Sequence, residues 1–474
     1  MPGVPSGRAC DACRKQKKKC DEKQPACARC IRLKLKCVGS GMKRFKFQAE
    51  KDYTVLVSNK SSRSSPNHDF VVMQPESFFT PLGQMDVYPS PCSSPGNELS
   101  LLRSAFTKTI NRSTDLRYNL WWAFGGFLED IPRRLGTNEA LDHAIDTLTT
   151  AHGSFCIGRK ASVETLTKYS HALRTLRIYL DDRVHAHSSS TLCAVMVLLV
   201  CQTFMGQSTQ SWSGHSEGAA QILKARKSFG PRDEFEKKLF LSLRGSVLFE
   251  GLFNDKIDLT PEEWHDLVRS EFDETTPDGR ILRCLSHGPD LMRRIKHTHK
   301  TGGDKTNLHE EVWSTYQTCK MNLSEIKLRA SENDIAALNT TQMSRTEKLI
   351  AKLMYAHYQR TYGIGLTITL FFNGLLRVLG VRDGIATFDA NYLAEEALAL
   401  AERSVIYRPV GAAYLIFCLT FAWVATSEPR LRRSIMDALY DYNDDFKIRD
   451  SGKLEKDLES SFDHFHLGFN LQDG

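Results

Sequence analysis

Six cysteines run in the order Cys10-x2-Cys13-x6-Cys20-x6-Cys27-x2-Cys30-x6-Cys37. The two halves, CDACRKQKKKC and CARCIRLKLKC, share one spacing and are offset by 17 residues. A segment this short buries too little apolar surface to stabilise itself, so its fold has to come from cross-links through those sulfurs. The chain opens MPGVPSGRACDAC, with no apolar leader. A reducing compartment and no disulfide framework are therefore expected. A C-x2-C pair can place both sulfurs on one ion. Six cysteines do not divide into two independent four-cysteine sites. They can serve one ion with two left over, or two tetrahedral ions if two thiolates bridge. The repeat favours the second arrangement, with Cys10 and Cys27, the first cysteine of each half, as the natural bridges.

All-thiolate tetrahedral sites take zinc or an iron–sulfur cluster. The residues between the cysteines favour zinc. RKQKKK and RLKLK form an odd shell for an electron carrier but a suitable one against phosphate. The charge is concentrated in the same place. Residues 1–50 hold 14 basic and 4 acidic side chains, whereas residues 51–474 hold 49 basic and 52 acidic. A short basic head therefore precedes a nearly neutral body. The other seven cysteines are scattered, mostly in apolar contexts such as TLCAVMVLLVC, and read as small buried hydrophobes.

Residues 1–9 read as a flexible N-terminus, 10–38 as the metal module, and 39–97 as a basic arm followed by a Ser/Pro-rich linker. From 98 to 440 apolar residues recur at helical spacing and strand signals are sparse, which predicts a large all-α domain of roughly fifteen helices. LRYNLWWAFGGFLEDI is expected to be one apolar helix ending before Pro132, and Trp121, Trp122 and Phe124 to be core residues. Thr260-Pro261-Glu262-Glu263 reads as a capped helix start. The stretch 344–379 is expected to divide, because Gly363, Gly365 and Gly374 weaken a helix. HTHKTGGDKTNLHE reads as a polar loop, with His297, His299 and His309 as loop residues. Residues 441–474 form an acidic-aromatic tail, read either as an activation segment or as a last helix with a frayed end. No apolar run reaches the ~18–20 residues a bilayer span requires, so a soluble protein without membrane contact is expected.

ACDACRKQKKKCDEKQPACARCIRLKLKC resembles the DNA-binding domain of the fungal binuclear zinc cluster (Zn2Cys6) transcription factors. The resemblance implies a small zinc-stapled two-helix module. Cys10, Cys13, Cys20 and Cys27 would hold one Zn2+ ion, and Cys10, Cys27, Cys30 and Cys37 the other. Pro25 matches the family's loop proline. The resemblance also implies that the first helix aims its C-terminal end into the major groove of double-stranded DNA, bringing Gln16, Lys17 and Lys19 near the base edges. Lys17 falls where the family has its base-reading lysine, on CGG-like half-sites; a lysine donating to guanine O6/N7 is sound chemistry for that role. Arg14, Lys15, Lys18 and Lys36 fit phosphate contacts. Gln16 departs from the family's commonest basic filling at that position. Lys43 and Arg44 are placed to follow the DNA backbone as an extended arm.

The body resembles, less specifically, the all-helical fungal-specific regulatory domain found behind such clusters, on SWSGHSEGAAQILKARK and LSLRGSVLFEGLF. The expectation is a nuclear, zinc-dependent, sequence-specific regulator of RNA polymerase II transcription, governing a metabolic or secondary-metabolite pathway, with transcriptional machinery or coregulators as partners. No sustained heptad follows Cys37, so any homodimer is expected to form through the helical body. Two alternatives come from other classes: a nucleic-acid-binding scaffold without sequence preference, and an enzyme with a fused zinc head. No G-x-S-x-G, P-loop or convergent acid–base set supports the enzyme.

Overall fold

A computed structural model describes residues 10, 12–13, 16–21, 23, 26–35, 37, 97–110, 115–206, 209–225, 233–338, 344–380 and 384–446. The chain divides into two compact units, Met1–Asp52 and Tyr53–Gly474.

In the first unit, residues 12–13 are helical, and the second half of the repeat forms α1 (Ala28–Arg32), with Cys27 as its N-cap. Both halves close in the same way. Lys18 N–H donates to Cys13 O at 2.8 Å, and 17 residues on Leu35 N–H donates to Cys30 O at 2.9 Å. The residue before each donor, Lys17 or Lys34, has φ of 50°. This is the left-handed stop of a Schellman turn, built here without glycine.

In the second unit the described residues contain α-helices and short 3₁₀ turns but no strand. The helices are α2 (Glu98–Ile110), α3 (Leu120–Phe124), α4 (Ile131–Arg134), α5 (Glu139–Cys156), α6 (Val163–Asp181), α7 (Ser189–Met205), α8 (Thr209–Ala225) and α9 (Glu234–Gly251). They continue as α10 (Pro261–Asp266), α11 (Glu271–Thr275), α12 (Pro277–Ser286), α13 (Gly288–Thr301), α14 (Thr306–Leu338), α15 (Arg345–Val378), α16 (Gly384–Ser404), α17 (Tyr414–Ala425) and α18 (Pro429–Asp444). The all-α expectation holds.

α7 and α17 are apolar nearly all round, as central helices must be. α7 starts at Ser188, whose side chain accepts from Thr191 N–H, and stops at Gly206, with φ of 63°. It packs on α5 and α8, while α17 packs on α15, α16 and α18. Among the described helices, α14 and α15 pack on one another most extensively. α10 carries the full capping box between Thr260 and Glu263, and α15 begins with another between Ser344 and Glu347.

Four local expectations are corrected. LRYNLWWAFGGFLEDI is not one helix: α3 ends at Gly125, whose φ of 112° is left-handed, and a 3₁₀ turn (Gly126–Asp130) follows. Pro132 then lies in the first turn of α4, where its missing N–H costs nothing, so it starts a helix rather than stopping one. The stretch from 344 is a single helix of 34 residues. Its glycines are contact points: a Cβ on Gly363 would lie 2.6 Å from the Tyr414 ring, and one on Gly365 2.9 Å from Leu323. His297 and His299 lie on α13 and His309 on α14, because Pro289 opens α13 and Gly302, with φ of 68°, closes it.

The start of the acidic-aromatic segment also belongs to the packed body. Tyr442 lies on α18 and donates to Ala401 O at 2.7 Å, and Phe446 stacks on Phe155. Asp441 and Asp445 both accept from Arg408. The remainder of that segment lies outside the described residues. Trp121 and Trp122 are buried, as expected, and the Arg360 guanidinium covers the Trp122 ring at 4.8 Å. No described helix is long and apolar enough to cross a membrane.

Candidate metal centre

The repeat brings its six sulfurs into two overlapping sets. Cys10, Cys13, Cys20 and Cys27 form one, and Cys10, Cys27, Cys30 and Cys37 the other, with the sulfurs of each set within 4.8 Å of one another. Cys10 and Cys27 are common to both and lie 3.6 Å apart, sulfur to sulfur. Cys10 to Cys30 is also 3.6 Å, and Cys13 to Cys27 is 3.8 Å.

These separations test the cross-link directly. A disulfide requires about 2.05 Å. Tetrahedral zinc with Zn–S bonds of about 2.3 Å places its sulfurs about 3.8 Å apart. The separations therefore match sulfurs sharing an ion. Sharing Cys10 and Cys27 between both sets also meets the ligand arithmetic of two ions and six cysteines. A conventional iron–sulfur cluster leaves no such role, because its cysteines are terminal ligands and inorganic sulfide bridges the irons. The donor set fits a binuclear zinc centre in which Cys10 and Cys27 bridge.

Backbone N–H groups stabilise negative charge on the same sulfurs, again twice. Cys10 N–H points at Cys20 Sγ at 3.4 Å, and Cys27 N–H at Cys37 Sγ at 3.3 Å. Cys30 N–H donates to Cys27 Sγ at 3.4 Å. Burial nevertheless opposes their ionisation, and the thiol contacts favour some members of the cluster over others. Burial, reinforced by the Cys10 thiol, pushes Cys13 up to about 11. Burial and the Cys27 thiol push Cys30 higher still. At Cys10 burial acts in the same direction, but the Cys13 N–H and neighbouring thiols hold the value below that of an ordinary cysteine. The Cys30 N–H lowers Cys27. So many buried sulfurs can ionise together only around cations, and the two lowered thiols are the two bridging positions.

The basic turn lies directly beyond this centre. Gln16, Lys17, Lys18 and Lys19 are all exposed. Their backbone is held by Gln16 N–H to Ala12 O at 3.3 Å and by the Lys18–Cys13 bond. Arg14, Lys15, Lys36, Lys43 and Arg44 lie outside the described residues, as does Pro25.

Two residues that tie the halves together carried no motif signal. Arg29 Nη2 donates to Gln16 Oε1 at 2.7 Å, and its Nη1 lies 3.9 Å from Cys13 Sγ. The Asp21 carboxylate accepts from Ala28 N–H at 3.1 Å, at the start of α1. Gln16 is thus engaged from the opposite half of the repeat, and its amide NH2 retains its donors.

Residues 8–44 match the family model of the fungal Zn(2)-Cys(6) binuclear cluster domain. No curated protein and no solved structure matches the chain significantly. The chain thus pairs an N-terminal binuclear cluster domain, a DNA-binding and non-catalytic module, with a large all-helical domain. That is the architecture of a Zn2Cys6 transcription factor.

Proposed function

We propose that the protein is a sequence-specific regulator of RNA polymerase II transcription, acting in the nucleus on CGG-like half-sites, with Lys17 as its base reader. The observation that carries this reading is the exposed 16–19 turn, anchored by its backbone to a ligand of the metal centre. A lysine fixed in this way starts from a defined backbone position, which direct readout of guanine O6/N7 requires. Lys19 stands near the base edges with Lys17; Lys18 supplies phosphate contacts with Arg14, Lys15 and Lys36, and Lys43 and Arg44 extend them along the duplex. Gln16, held by Arg29, offers amide donors beside Lys17 and adjusts the preferred triplet. The helical body serves as the regulatory domain and as the place where any homodimer or coregulator docks.

Titrations of the zinc-loaded protein against matched and scrambled duplexes, at two salt concentrations, test the reading. Lys17→Ala is a clean probe because alanine tolerates the left-handed backbone no better than lysine. Its loss is expected to cost about 1–3 kcal/mol on the matched duplex and little on the scrambled one. Lys18→Ala should weaken both alike and reduce the salt slope by about one. Equal losses on both duplexes for Lys17→Ala would favour the scaffold without sequence preference.

A further inference from the structure

The described chain stops at Phe446, whose ring stacks on Phe155, in the last turn of α5, at 5.5 Å. Two residues beyond Phe155, Ile157 caps α5 and is 63% exposed. α6 follows, and its outward face continues the apolar surface. Val163, Leu166, Ser170, Arg174 and Ile178 recur at helical spacing and are all exposed, while Tyr169, Ala172 and Leu176 face the core. Ile178, at the far end, is 65% exposed.

The charge on this face is one-sided. Arg159 and Lys160, just before α6, and Arg174 on it are exposed and enter no ion pair among the described residues. The acidic groups of α6 lie at its ends. Glu164 is paired with Lys168 at 3.2 Å, and Asp181 is the last residue. An apolar, basic and exposed surface therefore begins where the described chain stops.

The sequence that continues from Phe446 is complementary to it. Leu454, Leu458, Phe462, Phe465 and Phe469 recur at i, i+4, i+8, i+11 and i+15, which predicts one apolar helix face. At that spacing Glu455, Asp457 and Glu459 border the stripe, and Lys453 and Lys456 fall on the opposite side. Leu454 is as far from Phe469 in sequence as Val163 is from Ile178, so each stripe would run about 22 Å. The link from Phe446 to Leu454 can span up to about 27 Å, enough to pass from Phe155 to the start of α6. Segment and surface belong to the same compact unit. A second copy of the chain fits this face less well, because a two-fold contact would set its basic groups against themselves.

We propose that residues 453–469 form an amphipathic helix that lies along the outer face of α6 and extends the contact made by Phe446 with Phe155. Leu454 and Leu458 cover Val163 and Leu166, and Phe465 and Phe469 run on toward Ile178. Glu455 and Glu459 meet Arg159 and Lys160. In this position the segment withholds Phe462, Phe465 and Phe469 from any other protein.

The test uses the zinc-loaded full chain with a photoreactive benzophenone analogue in place of Phe465. After illumination, peptide mass spectrometry locates the cross-link. It is expected within one chain, on peptides spanning 163–178, with a yield independent of protein concentration. Leu166→Asp together with Ile178→Asp should cut that yield at least about fivefold, because each removes apolar area from the contact. Arg159→Glu with Lys160→Glu should also lower it, and adding Glu455→Lys with Glu459→Lys should restore it. All of these positions in the body are exposed, and thermal melts of each variant confirm folding. Cross-links to another helix or to a second chain would overturn the proposal. So would a yield on α6 that survives Leu166→Asp with Ile178→Asp, or the absence of any cross-link until another protein is added.

Discussion

Lys17 and Lys34 occupy equivalent left-handed positions in the two halves of the repeat, where glycine would ordinarily stand. A non-glycine residue there costs about 1–2 kcal/mol. Each of Lys17→Gly and Lys34→Gly should therefore stabilise the folded module by about 1 kcal/mol. Their effects on DNA should separate: Lys17→Gly loses discrimination between matched and scrambled duplexes, whereas Lys34→Gly, outside the reading turn, keeps it. Metal-competition titrations with a chelator report the stability and duplex titrations the readout; equal loss of discrimination in both variants would contradict the assignment. The sequence displayed the repeat but not this strain, because no glycine marks the turn. Arg29 was equally silent: its bond to Gln16 depends on the folding of one half against the other. The cysteines were legible because their chemistry permits few arrangements, and the sulfur separations agree with the bridged one.

Helix positions were read well wherever the pattern reported a local property. The Thr260–Glu263 box and the apolar α7 were of this kind. Glycines misled wherever their reason was tertiary. By propensity alone, Gly363→Ala within α15 should stabilise the helix by about 1 kcal/mol. In the fold, the added methyl meets the Tyr414 ring at 2.6 Å, and the Tyr414 hydroxyl is hydrogen-bonded to Ser404. Overpacking of this kind costs about 1–3 kcal/mol, so the net effect should be destabilising. Urea denaturation checks the sign, and a more stable variant would show that the ring yields easily. Acid should act on other buried elements. Burial depresses His152 on α5 to about 4, against an ordinary 6.5, despite its bond with Tyr118 O. Burial likewise brings His215 on α8 to about 4 and His357 on α15 to about 3. Below pH 6.5 the unfolded chain takes up these protons and the folded body does not. Stability should thus be fully present above pH 6.5 and fall as the pH drops toward 4 and 3. A melting temperature for the body that is flat or rising on acidification across that window would contradict this burial.

At the scale of the molecule, the two units rest on different physics. The body holds a large apolar core, including the fully buried Trp264, Tyr316 and Phe371. Among the described residues, the buried cluster of the head is made of cysteines, so metal binding supplies its folding free energy. A chelator should therefore abolish DNA binding and unfold the head while leaving the helical signal of the body nearly intact. The central claim, that two ions share Cys10 and Cys27, is tested most directly by the metal content of the purified chain, with elemental analysis and native mass spectrometry applied together. The structure predicts two zinc ions per chain, and loss of both in Cys10→Ala and in Cys27→Ala, because each removes a ligand from both ions. One zinc per chain, iron in its place, or a Cys27→Ala protein that still holds two zinc ions would contradict it.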